Sequence, residues 1–336
     1  MRILLTGGAG YVGSACLRWL ERHGHEPVAF DDLSEGNRES VPADRLVEGN
    51  ILDRNALADA MTRHRAEAVM HFAALASVPD SIMRPDEYWQ VNVHGTKCVL
   101  DAMRECGVKR IVFSSSAATY SFSAQMPILE TSDQLPQVPY GTTKLAGERV
   151  IADYARAYGF GFACLRYFNA SGADPDGSFG EDRRQETHVI PLVLLTAVGR
   201  RDEFLVYGAD WPTADGSCVR DFVHTDDLAA AHQLALETME VGGGEAFNVG
   251  LGRGYSVLEV IKSCERAVGR SIRHRIEGRR PGDPAVLVAS SAKLRAKGWA
   301  PRFETLDEIV DTACRWHKRY PHGYADKVGA SKPAEP

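Results

Sequence analysis

Apolar-rich runs recur along the first half of the chain: RILLT (2–6), EPVAF (26–30), AEAVMHF (66–72), KRIVFSS (109–115) and FGFACLR (160–166). Each is short and largely free of strict polar alternation, the pattern of a strand covered on both faces. The stretches between them, such as 12–23, 86–106 and 141–158, carry apolar residues at helical spacing. Strand and helix in alternation predict an α/β fold, a doubly wound parallel sheet with helices on both faces.

After Asn169 the pattern loosens. Residues 170–186 (ASGADPDGSFGEDRRQE) and 207–217 (YGADWPTADGS) are rich in Gly, Pro and Asp, and loops of that length in a compact domain are more often functional than idle. Further on, the spacing predicts a helix at 225–239, a strand in EAFNVG (245–250), a helix at 256–268, a strand near 272–277 and a helix near 305–319. A chain of 336 residues is long for one core, so two domains are expected. The first spans 1–169, with segments near 220–250 returning to it, and the second, smaller α/β domain is mainly 170–324. The polar residues 325–336 predict a disordered tail.

Composition narrows the function. Hydrophobic and charged fractions of 44% and 25% are ordinary for a soluble protein. A formal net charge of -6 argues against a general nucleic-acid binder, which shows a basic excess. Arg183, Arg184, Arg200 and Arg201 read as a solvated face. No run approaches the roughly 20 apolar residues of a membrane span, and the chain enters RILLTGG without a leader pattern, so a cytoplasmic location is expected. Cys16, Cys98, Cys106, Cys164, Cys218, Cys264 and Cys314 form no C-x-x-C; free structural thiols and no metal site are expected. His71, inside a strand, reads as a core histidine.

The first strand runs into GGAGYVGSACLRWL, which puts Gly7, Gly10 and Gly13 between a strand and a helix. Glycines here permit a tight turn and close approach of backbone to a pyrophosphate, which the free N–H groups of the helix start then bind. The second strand ends in Asp31 and Asp32, at about the 20-residue distance where an acid binds the ribose hydroxyls. Register favours Asp31. An acid at this place repels an added phosphate, so NAD is favoured over NADP. The fold class is a Rossmann-type sheet with a smaller C-terminal substrate domain.

In VPYGTTKLAGE, Tyr140 and Lys144 lie four residues apart at a helix start, so they share a face. An ammonium beside a phenol favours the phenolate and lowers its pKa toward neutrality. Such a pair can be a catalytic base; an isolated Y-x-x-x-K is more often a packed tyrosine beside a solvated lysine.

Together with the glycine turn, the runs FSSSAATY (113–120), YGTTK, LRYFNASGADP (165–175), VNVHGT (91–96), VGRRDEFLVYG (198–208), DGSCVRDFVH (215–224), FNVGLGRGYSV (247–257) and RRPGD (279–283) make the sequence resemble the extended short-chain dehydrogenase/reductase family. Within it, residues 2 to about 324 are similar to the UDP-glucose 4-epimerases. The resemblance implies NAD as a retained cofactor, a UDP-sugar substrate, and a homodimer formed through the 86–106 and 141–158 helices. It implies Ser116 and Tyr140 beside the sugar 4-hydroxyl and Lys144 on the nicotinamide ribose. It also implies a cofactor pocket that takes in Tyr11, Val12, Asn50, Ile51, Phe72, Ala73, Ala74, Asn92, Ser114 and Tyr167. Asn169, Arg220, Arg280 and Asp283 fall where the family holds the nucleotide diphosphate, with His188, Val189, Tyr207 and Leu287 as further substrate contacts.

Several positions depart from the family. Ala76 stands where a lysine near the nicotinamide is common, Asn50 replaces an aspartate facing the adenine, Ala118 lacks a frequent hydroxyl, and His188 replaces an asparagine. Leu287 occupies a position whose size governs room for an N-acetyl group, so UDP-GlcNAc/UDP-GalNAc are expected candidates beside UDP-Glc/UDP-Gal. Three other activities stand beside this one. A 4,6-dehydratase needs an Asp-Glu pair that FSSSAATYS lacks. An epimerase of UDP-uronates or pentoses differs only in sugar contacts. A redox-silent NAD-binding sensor is expected to have lost Ser116, Tyr140 or Lys144, and all three are present.

Overall fold

The computed structural model describes residues 1–280 and 282–330. Seven strands form one parallel sheet: β1 (Arg2–Thr6), β2 (Glu26–Asp31), β3 (Leu46–Glu48), β4 (Ala68–His71), β5 (Arg110–Ser116), β6 (Gly161–Tyr167) and, from later in the chain, β10 (Gly244–Val249). Their order is β10-β6-β5-β4-β1-β2-β3. The apolar runs become strands because parallel strands are buried on both faces: Leu4, Val69 and Ile111 point to one layer, Leu5, Met70 and Val112 to the other.

Two helical layers cover these faces. Helices Tyr11–Arg22 and Thr225–Glu237 lie on one side, joined by Trp19 Nε1 donating to Gln233 Oε1 at 2.7 Å. Helices Arg54–Arg63, Gly95–Cys106 and Pro139–Tyr158 cover the other, through Leu57, Val99, Met103 and Ile151. The helical pattern at 86–106 is helical throughout, but residues Trp89–His94 widen into a π-turn, a feature often found at functional sites.

The second domain contains the remaining strands: β7 (Asn169–Ser171), β8 (Phe204–Tyr207), β9 (Val219–His224), β11 (Gly254–Ser256), β12 (His274–Glu277) and β13 (Val286–Leu287). Strand β9 pairs with β7, β11 and β13, and β8 pairs with β12. Helices Val189–Ala197, Val257–Val268 and Leu306–Arg319 enclose its core of Val193, Leu194, Val260, Ile261, Ile309 and Val310. Two of these begin at capping boxes, Ser256 with Glu259 and Thr305 with Glu308, which is why these helices start where they do. Helix Val189–Ala197 (VIPLVLLTA) is apolar on all sides, so no periodicity announces it.

Strand β9 pairs with strands of the second domain, whereas Thr225–Glu237 and β10 join the first, against which Leu294 and Trp299 also pack. Composition predicts a disordered tail from 325, but Tyr324–Ala330 is a helix; Tyr324 N donates to Asp182 Oδ2 at 2.8 Å and buries its ring beside Trp316. Residues 331–336 lie outside the described residues. All seven cysteines are free.

Candidate active site

Strand order reverses at β1, between β2 and β4, and the crevice outside the carboxyl ends of the strands opens there. The glycine turn forms its floor. Gly7 has φ of 71°, and a Cβ on it would stand 2.4 Å from Ala73 N. A Cβ on Gly13 would meet the Gly7 carbonyl oxygen at 2.2 Å. Gly10 caps the following helix with no side-chain hydrogen bond, so the N–H groups of its first turn, at Tyr11 and Val12, face the crevice without a side-chain partner. A cradle too tight for side chains and a bare helix N-terminus fit a dinucleotide pyrophosphate.

Asp31 ends β2 and is buried, its carboxylate accepting from Ala9 N and Leu33 N, each at 2.9 Å. Burial raises its pKa against these two bonds and the Asp32 charge adds to the rise. Asp32 is exposed and accepts from Ser34 and from Asn50 Nδ2 at 2.8 Å. The Asn50 amide oxygen accepts from Leu52 N at 2.9 Å. Asn50 thus shapes the turn after β3, in a surface recess of about 470 Å³ lined with Leu52, Asp53, Arg54 and Asn55. Ile51 is buried nearby under Gly95.

Phe72 N and Ala73 N both donate to Thr6 O, at 2.8 and 2.9 Å, which brings the 72–74 segment to the lip of the glycine turn. Asn92 spends its side chain on the next segment: its oxygen accepts from Leu75 N at 2.8 Å and its amide donates to Leu75 O and Thr143 Oγ1, both at 3.0 Å. It pins the crevice wall to the helix of Tyr140. His71 is buried with both ring nitrogens bonded, to Thr6 Oγ1 at 2.6 Å and Thr96 Oγ1 at 2.9 Å.

The residues with acid/base chemistry meet at the carboxyl end of β5. Lys144 Nζ donates to Ser114 O at 2.8 Å and lies 5.9 Å from the centre of the Tyr140 ring. Ser116 Oγ accepts from Ala118 N at 3.1 Å. Tyr167 donates to His232 Nε2 at 2.5 Å, since His232 Nδ1 is turned to Leu228 O. The spacing of Tyr140 and Lys144 predicts a lowered phenol. In the chain alone burial instead raises the Tyr140 pKa, opposed by Ser116 and by the charge of Arg183. Burial also pulls Lys144 down to about 7, with Glu148 resisting. A buried ammonium that is itself half-titrated near neutrality is a weak phenolate partner.

The substrate candidates line the second domain's side. Arg220 Nη1 donates to Pro284 O at 2.8 Å and Nη2 lies 3.6 Å from Asp283. Arg280 grips the same carboxylate at 3.0 and 3.3 Å and lies over the Tyr207 ring. Leu287 is half-buried opposite Arg220 in the β9/β13 ladder, and Asn169 Nδ2 donates to Asp221 O at 2.9 Å. His188 caps the helix that begins at Val189, its Nδ1 2.7 Å from Glu181 Oε1.

Two site residues carry no motif signal. Arg183, read from sequence as solvated, is largely covered, and its Nε donates to Glu181 Oε1 at 2.6 Å. Its neighbours Arg184, Arg200 and Arg201 are exposed as the charge pattern predicts. Glu181 is buried, and His188 and Arg183 hold its carboxyl down at about 2 against burial. The only signal was the Gly-rich length of the loop that holds them.

A model of the NAD dependent epimerase/dehydratase family matches residues 3–250. The chain belongs to this family. Among the family's curated members it is 45% identical to the UDP-glucose 4-epimerase of Halalkalibacterium halodurans over 327 residues, 97% of this chain and 98% of that one. It is 47% identical to the UDP-glucose 4-epimerase of Corynebacterium glutamicum over 315 residues, covering 93% and 94%. Among solved members of the family, the UDP-glucose 4-epimerase from Brucella ovis in complex with NAD superposes with a TM-score of 0.89 at 44% identity, covering 93% of this chain and 97% of that chain. The enzyme from Bifidobacterium longum in complex with NAD+ and UDP gives 0.92 at 33%, covering 96% and 100%. Among the described residues no helix is long and apolar enough to cross a membrane.

Proposed function

We infer that the protein is a UDP-glucose 4-epimerase, which interconverts UDP-glucose and UDP-galactose through a transient 4-keto sugar. The observation that carries the reading is the meeting of Ser116, Tyr140 and Lys144 at the end of β5, beside a dinucleotide cradle. The cradle residues Gly7, Gly10, Gly13 and Asp31 would hold NAD, which when bound supplies the hydride acceptor and donor.

The chain's own residues handle the proton and the grip. Tyr140 removes the proton from the sugar 4-hydroxyl, and Ser116 orients the same oxygen. Lys144 is fixed by Ser114 O on the cofactor side. Arg220 and Arg280 hold the diphosphate, for which their paired donors suit, while the sugar turns to present its other face and Tyr140 returns the proton. Net redox change is zero, so a firm hold on the nucleotide and a loose one on the sugar are what the site requires.

Two finer readings follow. Leu287 leaves room for an N-acetyl group, so UDP-GalNAc is a second substrate. A second copy of this chain docks on the face of helices Gly95–Cys106 and Pro139–Tyr158, beside which Ile82, Met83 and Trp89 are exposed; sedimentation of a dimer supports this, and a monomer at micromolar concentration refutes it.

The test is incubation of the purified protein, without added NAD, with UDP-Gal, UDP-GalNAc, UDP-glucuronate and UDP-xylose, with products resolved by chromatography. Conversion of UDP-Gal to UDP-Glc is expected. Turnover confined to UDP-glucuronate or UDP-xylose would reassign the protein to a sister epimerase. Inertness toward all four with NAD added would make it a binding protein on the same fold.

A further inference from the structure

Residues 33–37, which follow β2, lie against the glycine turn and its acid. Leu33 sits in the left-handed region at φ of 59°, and its N–H donates to Asp31 Oδ1 at 2.9 Å. A Cβ on Gly36 would stand 2.8 Å from the same Oδ1 and 3.0 Å from Ala9 Cβ. Asn37 N donates to Ala9 O at 3.0 Å, and Ala9 N donates to Asp31 Oδ2 at 2.9 Å. The segment therefore backs both parts of the dinucleotide cradle, the turn through Ala9 and the ribose acid Asp31.

The second domain holds this segment at both ends. Asn37 Nδ2 donates to Asp182 O at 2.7 Å, and Arg184 Nη2 donates to Leu33 O at 3.0 Å. Asp182 is fastened in turn from the end of the chain: Tyr324 N donates to its Oδ2 at 2.8 Å, and a Cβ on Gly323 would stand 2.1 Å from that oxygen. Next to it, Trp316 Nε1 donates to Glu181 O at 3.0 Å. Arg184 is exposed and Asn37 is half-buried, so water competes more for the first bond than for the second. An unbroken path of hydrogen bonds, Tyr324 to Asp182 to Asn37 to Ala9 to Asp31, joins the helix Tyr324–Ala330 to the cradle.

Neither Asn37 nor Asp182 takes part in the proton transfer, and neither belongs to the glycine turn. We propose that the two are positioning residues for the cofactor: their hydrogen bond braces residues 33–37 across the two domains, so that Asp31 and the Ala9 backbone are already ordered where NAD binds. A site held in its binding geometry retains a ligand better than one that binding must order. Retention suits a reaction that returns the cofactor to its starting state in every cycle.

The proposal rests on NAD in the cradle and not on which sugar is turned over. Wild type, Asn37→Ala, Asp182→Ala and the double variant are purified without added NAD. Bound NAD is assayed after acid extraction, and its release is followed on dilution of the holoenzyme into a dehydrogenase that traps free NAD by reducing it. Loss of the brace is expected to speed release by about three- to tenfold and to lower the NAD carried through purification. Saturating NAD is expected to restore turnover of UDP-Gal to within about twofold of wild type. Because both substitutions break one path, the double variant is expected to release NAD little faster than the quicker single variant. An Asn37→Ala protein with wild-type NAD content and release rate would overturn the proposal, as would one whose activity added NAD does not restore, the mark of general damage. If wild type is inert toward UDP-Gal, the epimerase reading falls and the release rates alone decide.

Discussion

Arg166 grips Glu148 with two parallel hydrogen bonds, Nε to Oε1 at 2.9 Å and Nη2 to Oε2 at 2.7 Å, with both side chains buried. Glu148 stands on the helix of Tyr140 and Lys144, and Arg166 on β6. Ser115 Oγ donates to the same carboxylate at 2.5 Å and Arg166 Nη1 donates to Tyr120 Oη at 2.7 Å. The pair fixes the helix of Tyr140 and Lys144 against β5 and β6.

Breaking that pair from one side leaves a charge buried alone. Arg166→Met and Glu148→Gln are each expected to cost about 3–5 kcal/mol of stability, read from urea unfolding. The double variant Arg166→Met/Glu148→Gln is expected to lose less than the two single losses combined.

Gly13→Ala tests the cradle. Its Cβ would collide with the Gly7 carbonyl at 2.2 Å and approach Gly8 Cα to 2.9 Å, both backbone atoms with nowhere to move. The variant is expected to lose about 1–3 kcal/mol and to purify with less than about a tenth of the wild-type NAD, assayed after acid extraction.

His232 is buried, and burial pulls its pKa to about 4, opposed by its bond to Leu228 O. A depressed histidine contributes stability above its unfolded value of about 6.5. That contribution is lost as pH falls toward 4, because the unfolded chain takes up a proton the fold refuses. His232→Gln is expected to flatten the fall in unfolding free energy between about pH 6 and 4.5, by up to about 1.4 kcal/mol per pH unit. Denaturant melts of both proteins across that range check it.

Leu287 is the ladder partner of Arg220, and under the proposed function Leu287→Tyr narrows the room for the sugar. Turnover of UDP-GalNAc is expected to fall by about tenfold or more, with UDP-Gal held within about threefold. Conversely, if wild type shows no N-acetyl turnover and Leu287→Ala gains none, the pocket reading is wrong.

Much of the first domain is legible without coordinates. Runs such as RILLT and the helices at 12–23 and 141–158 declare themselves because a parallel sheet buries both faces and its helices bury one. The Gly7, Gly10 and Gly13 turn and the Tyr140–Lys144 spacing are equally local, since each depends on residues adjacent along one element. The three-residue strands β3, β7 and β11 and the helix Val189–Ala197 are not legible, the first for want of length and the last because it is apolar all round.

The chain's sequence by itself determined the doubly wound sheet, the glycine turn and the pairing of Tyr140 with Lys144 on one helix face, because these follow from periodicity and from spacing within single elements. Only the tertiary structure decided the electrostatics of that pair. Burial raises Tyr140 and pulls Lys144 down, and the charge that opposes the rise in Tyr140 is that of Arg183, more than forty residues along the chain. A pKa is set by everything packed around a group. The loop that carries Arg183 is held there by Trp316, Tyr324, Asn37 and Tyr11, which come from four separate stretches of the chain.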